Sequence, residues 1–146
     1  MKFVVYLAGQ IHDNWREELI QQAEDKGLDL EFVYPQTEHD LSDAIGEKIL
    51  GEQPGDYYRD EAASAVNNFR TNVLMEKADI VIALFGDQYR QWNTAMDATT
   101  AVNKNKPLII IRPEELIHSL KELSNKANVT VETVEQAIQV LEYIKQ

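Results

Sequence analysis

The chain contains no cysteine. That excludes a disulfide framework, a thiolate metal site and a thiol nucleophile. It also has no apolar run approaching the roughly 20 residues of a membrane span. The opening run Met1–Leu7 lacks the longer apolar region and small-residue cleavage site of a signal peptide, so a cytoplasmic location is the expectation. Cations are scarce: 14 Lys and Arg stand against 25 Asp and Glu, for a formal net charge of −11. Such a surface repels phosphate backbones, so neither nucleic acid nor membrane is an expected partner. A small anion stays compatible, because one Arg or one helix N-terminus can hold a phosphate locally. The three His (His12, His39 and His118) are scattered and share no ligand spacing with carboxylates, so no metal is expected. GxGxxG, GxxxxGK[ST] and GxSxG are all missing, which argues against a dinucleotide fingerprint, a P-loop and a nucleophile elbow. No cofactor is expected.

What is present is a regular alternation of strand and helix patterns. Hydrophobic residues make up 44% of 146 residues, enough for one domain with a core, and no repeat or linker divides residues 1–146. Lys2 to Leu7 is an apolar run without polar alternation, as in a parallel strand covered on both faces. Ala8-Gly9-Gln10 ends it. Asp13 or Asn14 can cap a helix carrying Trp15, Leu19, Ile20 and Ala23, and Gly27 closes it. Leu28 to Tyr34 is the second strand. Residues 36–55 break the pattern; Leu41, Ala44, Ile45, Ile49 and Leu50 predict a short helical piece in a long insertion. Asp56 to Lys77 is the strongest helix, with Ala62, Ala65, Val66, Phe69, Val73 and Leu74 on its expected inner face. Ile80 to Phe85 is the third strand, followed by a polar loop and a helix that Asn93 can cap. Leu108 to Ile111 is the fourth strand, and Pro113 fits the first turn of the next helix. Val129 to Val131 is the fifth strand, and Thr133 starts a last helix. The fold expected is α/β: a single doubly wound, five-stranded parallel sheet, flavodoxin-like, in order 2-1-3-4-5, with helices on both faces.

That order puts the switch point between strands 1 and 3. Ala8 to His12 and Gly86 to Asn93 then face each other across a crevice, with Tyr6 at its floor and Asp97 at its rim. Asp97, expected in the first turns of its helix, would be ionised by the dipole and free amides. A positioned carboxylate can attack an anomeric carbon or stabilise an oxocarbenium ion. A helix-start charge is the commoner meaning of such a residue, and spacing alone favours it. Tyr6 can orient Asp97 through its hydroxyl or simply pack in the core. Tyr89 and Trp92 can stack on a base or anchor the loop. Arg90 can meet a phosphate or be solvated, and His12 can contact substrate or lie on the surface.

Tyr6-Leu7-Ala8-Gly9 after the first strand resembles the "YLAGP" opening of nucleoside 2-deoxyribosyltransferases. Lys77-Ala78-Asp79-Ile80-Val81-Ile82-Ala83 is similar to their third-strand entry. Asn93-Thr94-Ala95-Met96-Asp97-Ala98-Thr99-Thr100-Ala101, then Lys106-Pro107, resembles their "GTAxELGYA…GKPV" segment. The wording around Gln10-Ile11-His12 and Asn93 to Asp97 resembles the YtoQ branch of that superfamily. The resemblance implies a nucleoside or nucleotide N-glycosidic site in which a Glu attacks the anomeric carbon and a strand-1 Tyr orients it. It places Asp97 at the nucleophile and Tyr6 at its orienter. Gly9, Gln10, His12, Asn72, Arg90, Gln91, Trp92 and Asn93 are the expected substrate-binding residues. It also implies a homo-oligomer whose neighbouring subunit completes the pocket. The chain departs from the pattern at several points. Asp97 is one methylene shorter than Glu. Asn72 and Gln91 stand where carboxylates contact the base, and neither can protonate it. Thr99 and Thr100 replace a Gly-Tyr pair.

Three functional readings follow. The first is cleavage or transfer at a nucleoside N-glycosidic bond through Asp97. The second is a non-catalytic nucleoside- or nucleotide-binding module on the same fold. The last is an interaction scaffold with no pocket.

Overall fold

Alternate side chains of each central strand enter two separate cores, and this fixes where every other element must lie. The computed structural model describes residues 2–86 and 90–146. Its strands are β1 (Phe3–Ala8), β2 (Leu30–Val33), β3 (Ile80–Leu84), β4 (Leu108–Ile111) and β5 (Val129–Val131). They form one parallel sheet in the order β2-β1-β3-β4-β5, with Tyr6 beside Val81 and Ala8 beside Ala83. Val5, Leu7, Ile80, Ile82, Ile109 and Ile111 point to one face. There they meet Trp15, Leu19 and Ala23 of α1 (Trp15–Asp25) and Ala137, Ile138 and Leu141 of α6 (Val134–Ile144). Tyr6, Ala8, Val81, Ala83, Leu108 and Ile110 point to the other face. They meet α3 (Asp56–Lys77) through Met75 and α4 (Trp92–Asn103) through Ala98 and Ala101. Covering both faces is what makes the strands read as unbroken apolar runs. Among the described residues no helix is long and apolar enough to cross a membrane.

Local chemistry sets several boundaries. Gly27, at φ +68°, ends α1, and the Leu28 N–H reaches back to the Ala23 carbonyl. Thr133 caps α6 in a capping box with Gln136.

Four expectations are corrected. The stretch 36–55 is not a loop with a helical fragment: it carries α2 (His39–Leu50), a full helix packed on α3. Its apolar residues are used against another helix rather than the sheet, so the strand-helix alternation misses it. Within α3, Phe69 and Val73 do not face the core; they are 72% and 45% exposed. The C-terminal half instead turns Thr71, Leu74, Met75 and the following Ala78 inward, again at i, i+3, i+4, i+7 spacing, while Ala62 and Ala63 are buried in its N-terminal half. Pro113 precedes only a single 3-10 turn at Glu114–Leu116, and the next helix, α5, is Lys121–Lys126. Finally, Asn93 does not cap α4. Gln91 holds the cap position in a left-handed conformation (φ 51°, ψ 39°), and Asn93 is already the second helical residue.

Candidate functional site

Tyr6 and Asp97 come together as the topology requires. Tyr6 lies on the floor between β2 and β3, wholly buried, and Asp97 projects from the second turn of α4 with 8% exposure. The Tyr6 hydroxyl donates to Asp97 Oδ2 at 3.4 Å. Small side chains surround the phenol ring, Ala8 and Ala83 from the sheet and Ala98 and Ala101 from α4. Thr71 on α3 is a further polar neighbour of Tyr6 and favours the ionised form of the phenol.

Burial governs the charge states. It pushes the Asp97 carboxyl up to about pKa 6, while the hydrogen bond from Tyr6 and the positive charge of Arg16 hold it lower than burial alone would. Asp97 is still mostly ionised at neutral pH, as expected, but not through the helix dipole: it sits in the second turn, beyond the free amides of the first. Tyr6 is pushed upward, first by burial and then by the negative charge of Asp97, so it keeps its proton and remains the donor.

The segment leaving β1 is locked by a residue the sequence reading passed over. Arg16 is 4% exposed. Its guanidinium donates to the carbonyls of Leu7 (3.2 Å), Gly9 (2.8 Å) and Gln10 (2.6 Å), while Trp15 Nε1 also donates to Gln10 (3.1 Å). Burial lowers the pKa of Arg16, and the partial charges of three carbonyls stand in for a carboxylate partner. One hint was present: a cation in the first turn opposes the helix dipole, beside Glu17 and Glu18 that obey it. Gly9 serves this lock as well. A Cβ there would lie 2.6 Å from the Trp15 ring, so the residue is glycine for packing.

Gln91 closes the opposite wall. Its side chain accepts from the Gly86 N–H at 3.1 Å and donates to the Gly86 carbonyl at 2.8 Å, tying the two ends of the loop together. Asp87, Gln88 and Tyr89, with the stacking expected of Tyr89, lie outside the described residues. Gln10 reaches Gly86 from the other side, so the two predicted walls do meet. Asn72 is not brought to the site. It is exposed, and with Phe69, Val73, Glu76, Lys77 and Lys104 it lines a depression of about 470 Å³ on the outer face of α3. Thr71, one position earlier, takes the inward direction. Arg90, Trp92 and Asn93 are exposed, with the Arg90 guanidinium 5.5 Å from the Trp92 ring centre. His12 is exposed too, its ring 5.8 Å from that of His39 at the start of α2. A second cavity, about 230 Å³, lies between α2 and α3 and is lined by Leu41, Ile45, Ile49, Val66 and Arg70 among others; neither cavity includes Asp97. Among the described residues no three His, Asp or Glu converge to hold a metal ion.

Tyr6 and Asp97 thus form a buried phenol–carboxylate pair on the second face of the sheet. Comparison with solved structures supports the fold. The chain is similar to a 2-deoxyribosyltransferase from Bacillus psychrosaccharolyticus, at 18% identity and TM-score 0.59, over 92% of this chain and 90% of that one. It is also similar to a conserved protein from Enterococcus faecalis V583, at 13% identity and TM-score 0.68, over 99% of both chains. In sequence it is 62% identical over 144 residues to the uncharacterized protein YtoQ of Bacillus subtilis (strain 168), covering 99% of this chain and 97% of that protein. Residues 6–145 match the family described as nucleoside 2-deoxyribosyltransferase YtoQ, and the chain belongs to that family.

Proposed function

We propose that the protein cleaves or transfers the N-glycosidic bond of a nucleoside or nucleotide, with Asp97 as the nucleophile and Tyr6 as the residue that positions it. The observation that carries this reading is the buried Tyr6–Asp97 pair, which joins β1 to α4. In the first step an Asp97 oxygen bonds to C1′ as the C1′–N bond breaks. The base leaves with the electron pair and takes a proton from water, since no carboxylic acid stands at Asn72 or Gln91. In the second step water, or a nitrogen of another base, attacks C1′, frees the carboxylate and gives its proton to the hydroxide left by the first step. The test is a panel of nucleosides and 5′-nucleotides assayed for free base. Wild type should release base from at least one member, and Asp97→Asn should lower that rate by at least a hundredfold while staying folded. Normal turnover by the variant would sink the assignment.

A second reading, binding without chemistry, is favoured by two observations. Asn72 faces away from the pair, and the Gln91 amide is committed to Gly86. It predicts ligand-dependent thermal stabilisation with no base released.

Assembly into a homo-oligomer is part of the same proposal. Phe69 and Val73 on α3 and Met96 on α4 are exposed apolar residues. Both helices cover the same face of the sheet, and the Lys104–Glu76 ion pair links their C-terminal ends.

A further inference from the structure

Gln10 carries an unpaired hydrogen-bond acceptor. Its Nε2 donates to Asp13 Oδ2, and its Oε1 is buried with no hydrogen-bond partner among the described residues. The amide cannot be turned over to cure this, because its carbonyl would then face the Asp13 carboxylate. Nor can the backbone shift to help: the Gln10 carbonyl is held by both Arg16 and Trp15, and the Gly9 carbonyl by Arg16. The side chain faces Gly86, where a methyl group would lie 3.8 Å from Oε1. The Gly86 N–H is already given to Gln91. With the Gly86 N–H engaged, no described residue supplies the donor that this acceptor lacks. Buried polar atoms are normally satisfied, so an orphan at a crevice needs a reason.

We propose that Gln10 Oε1 is a specificity-determining acceptor, which takes a hydrogen bond from an N–H or O–H group of the ligand bound between β1 and β3. This deepens the nucleoside reading above and rests on it. The donor is either an amino or imide N–H of the base or a hydroxyl of the sugar. The acceptor then discriminates by penalty, since a ligand that offers a lone pair at that point meets another lone pair.

The experiment is ligand affinity by thermal shift and calorimetry for wild type, Gln10→Met and Gln10→Ala. Cytidine against uridine, and adenosine against inosine, exchange an exocyclic amino donor for a carbonyl while the neighbouring ring nitrogen gains an imide N–H. Either member can therefore be the donor-bearing one, and the direction of the preference tells amino from imide. The 2′-deoxy and 3′-deoxy analogues remove one sugar donor each. Wild type should prefer the donor-bearing member of one such pair by about tenfold or more, and both variants should erase that preference without weakening the donor-lacking analogue. The variants without ligand should melt within a few degrees of wild type. The pair that responds identifies base or sugar as the source. Unchanged selectivity in the variants overturns the proposal alone, as does a large loss of stability without ligand, which would make Gln10 a structural residue. If no nucleoside or nucleotide binds the wild type, the nucleoside reading falls and takes this proposal with it.

Discussion

At the scale of single residues, burying Asp97 costs the fold stability at neutral pH. The unfolded chain ionises this carboxyl near pH 3.8 and the folded chain near pH 6, so between those values the folded state holds more protons. Stability therefore falls as the pH rises through that window, and at neutral pH the buried carboxylate costs about 3 kcal/mol. Asp97→Asn keeps the shape without the charge. It should be more stable than wild type above pH 6, by about 1–3 kcal/mol, with the gap closing below pH 4; urea unfolding across pH measures both. The Tyr6 hydroxyl acts in the opposite direction, holding the Asp97 pKa down. Tyr6→Phe should therefore shift the acid limb of the pH–rate profile to higher pH and slow base release by about 10–100-fold. A profile that keeps its acid limb in place would show that Tyr6 only fills space.

At the scale of elements, α2 depends on one glycine. A Cβ at Gly46 would lie 2.4 Å from backbone atoms of both Ala62 and Ala63, so α2 and α3 cross at backbone contact. Backbone cannot move aside as a flexible side chain can. Gly46→Leu should cost about 2–3 kcal/mol, read by urea denaturation, even though leucine is the better helix former. The sheet is untouched by the change, so hydrogen exchange should speed up chiefly in α2 and in the half of α3 that contacts it. Equal protection throughout would show that α2 is integral to the central core.

At the scale of the whole molecule, the acidic charge and the exposed apolar residues pull in different directions. A net charge of −11 favours separate chains, whereas Phe69 at 72% exposure beside Val73 on one helix favours contact with another surface. Sedimentation should show wild type as a dimer or larger, more firmly at high salt as the repulsion is screened. Phe69→Glu should sediment as a monomer with its thermal midpoint nearly unchanged, because the side chain is mostly outside the core. A monomeric wild type would remove the oligomer from the proposal.

The sheet order, the parallel pairing and the neighbourhood of Tyr6 and Asp97 were all legible in the residues. Apolar runs with no alternation require cover on both faces, and right-handed crossovers leave few ways to connect them. The family segments around Tyr6 and Asp97 were legible for the same reason, since they flank those strands. Other features were decided only by packing in three dimensions. Thr71 rather than Asn72 faces the phenol, because a helix turns 100° per residue and its inner face is set by what it meets. Gln91 became the loop clasp, Arg16 the holder of three carbonyls, and Gln10 the bearer of an orphan acceptor. Hydrogen-bond partners distant in the chain leave no periodic trace in it. Strand identity follows from the average character of neighbouring residues, but satisfying one polar atom depends on a particular group arriving from elsewhere in the fold.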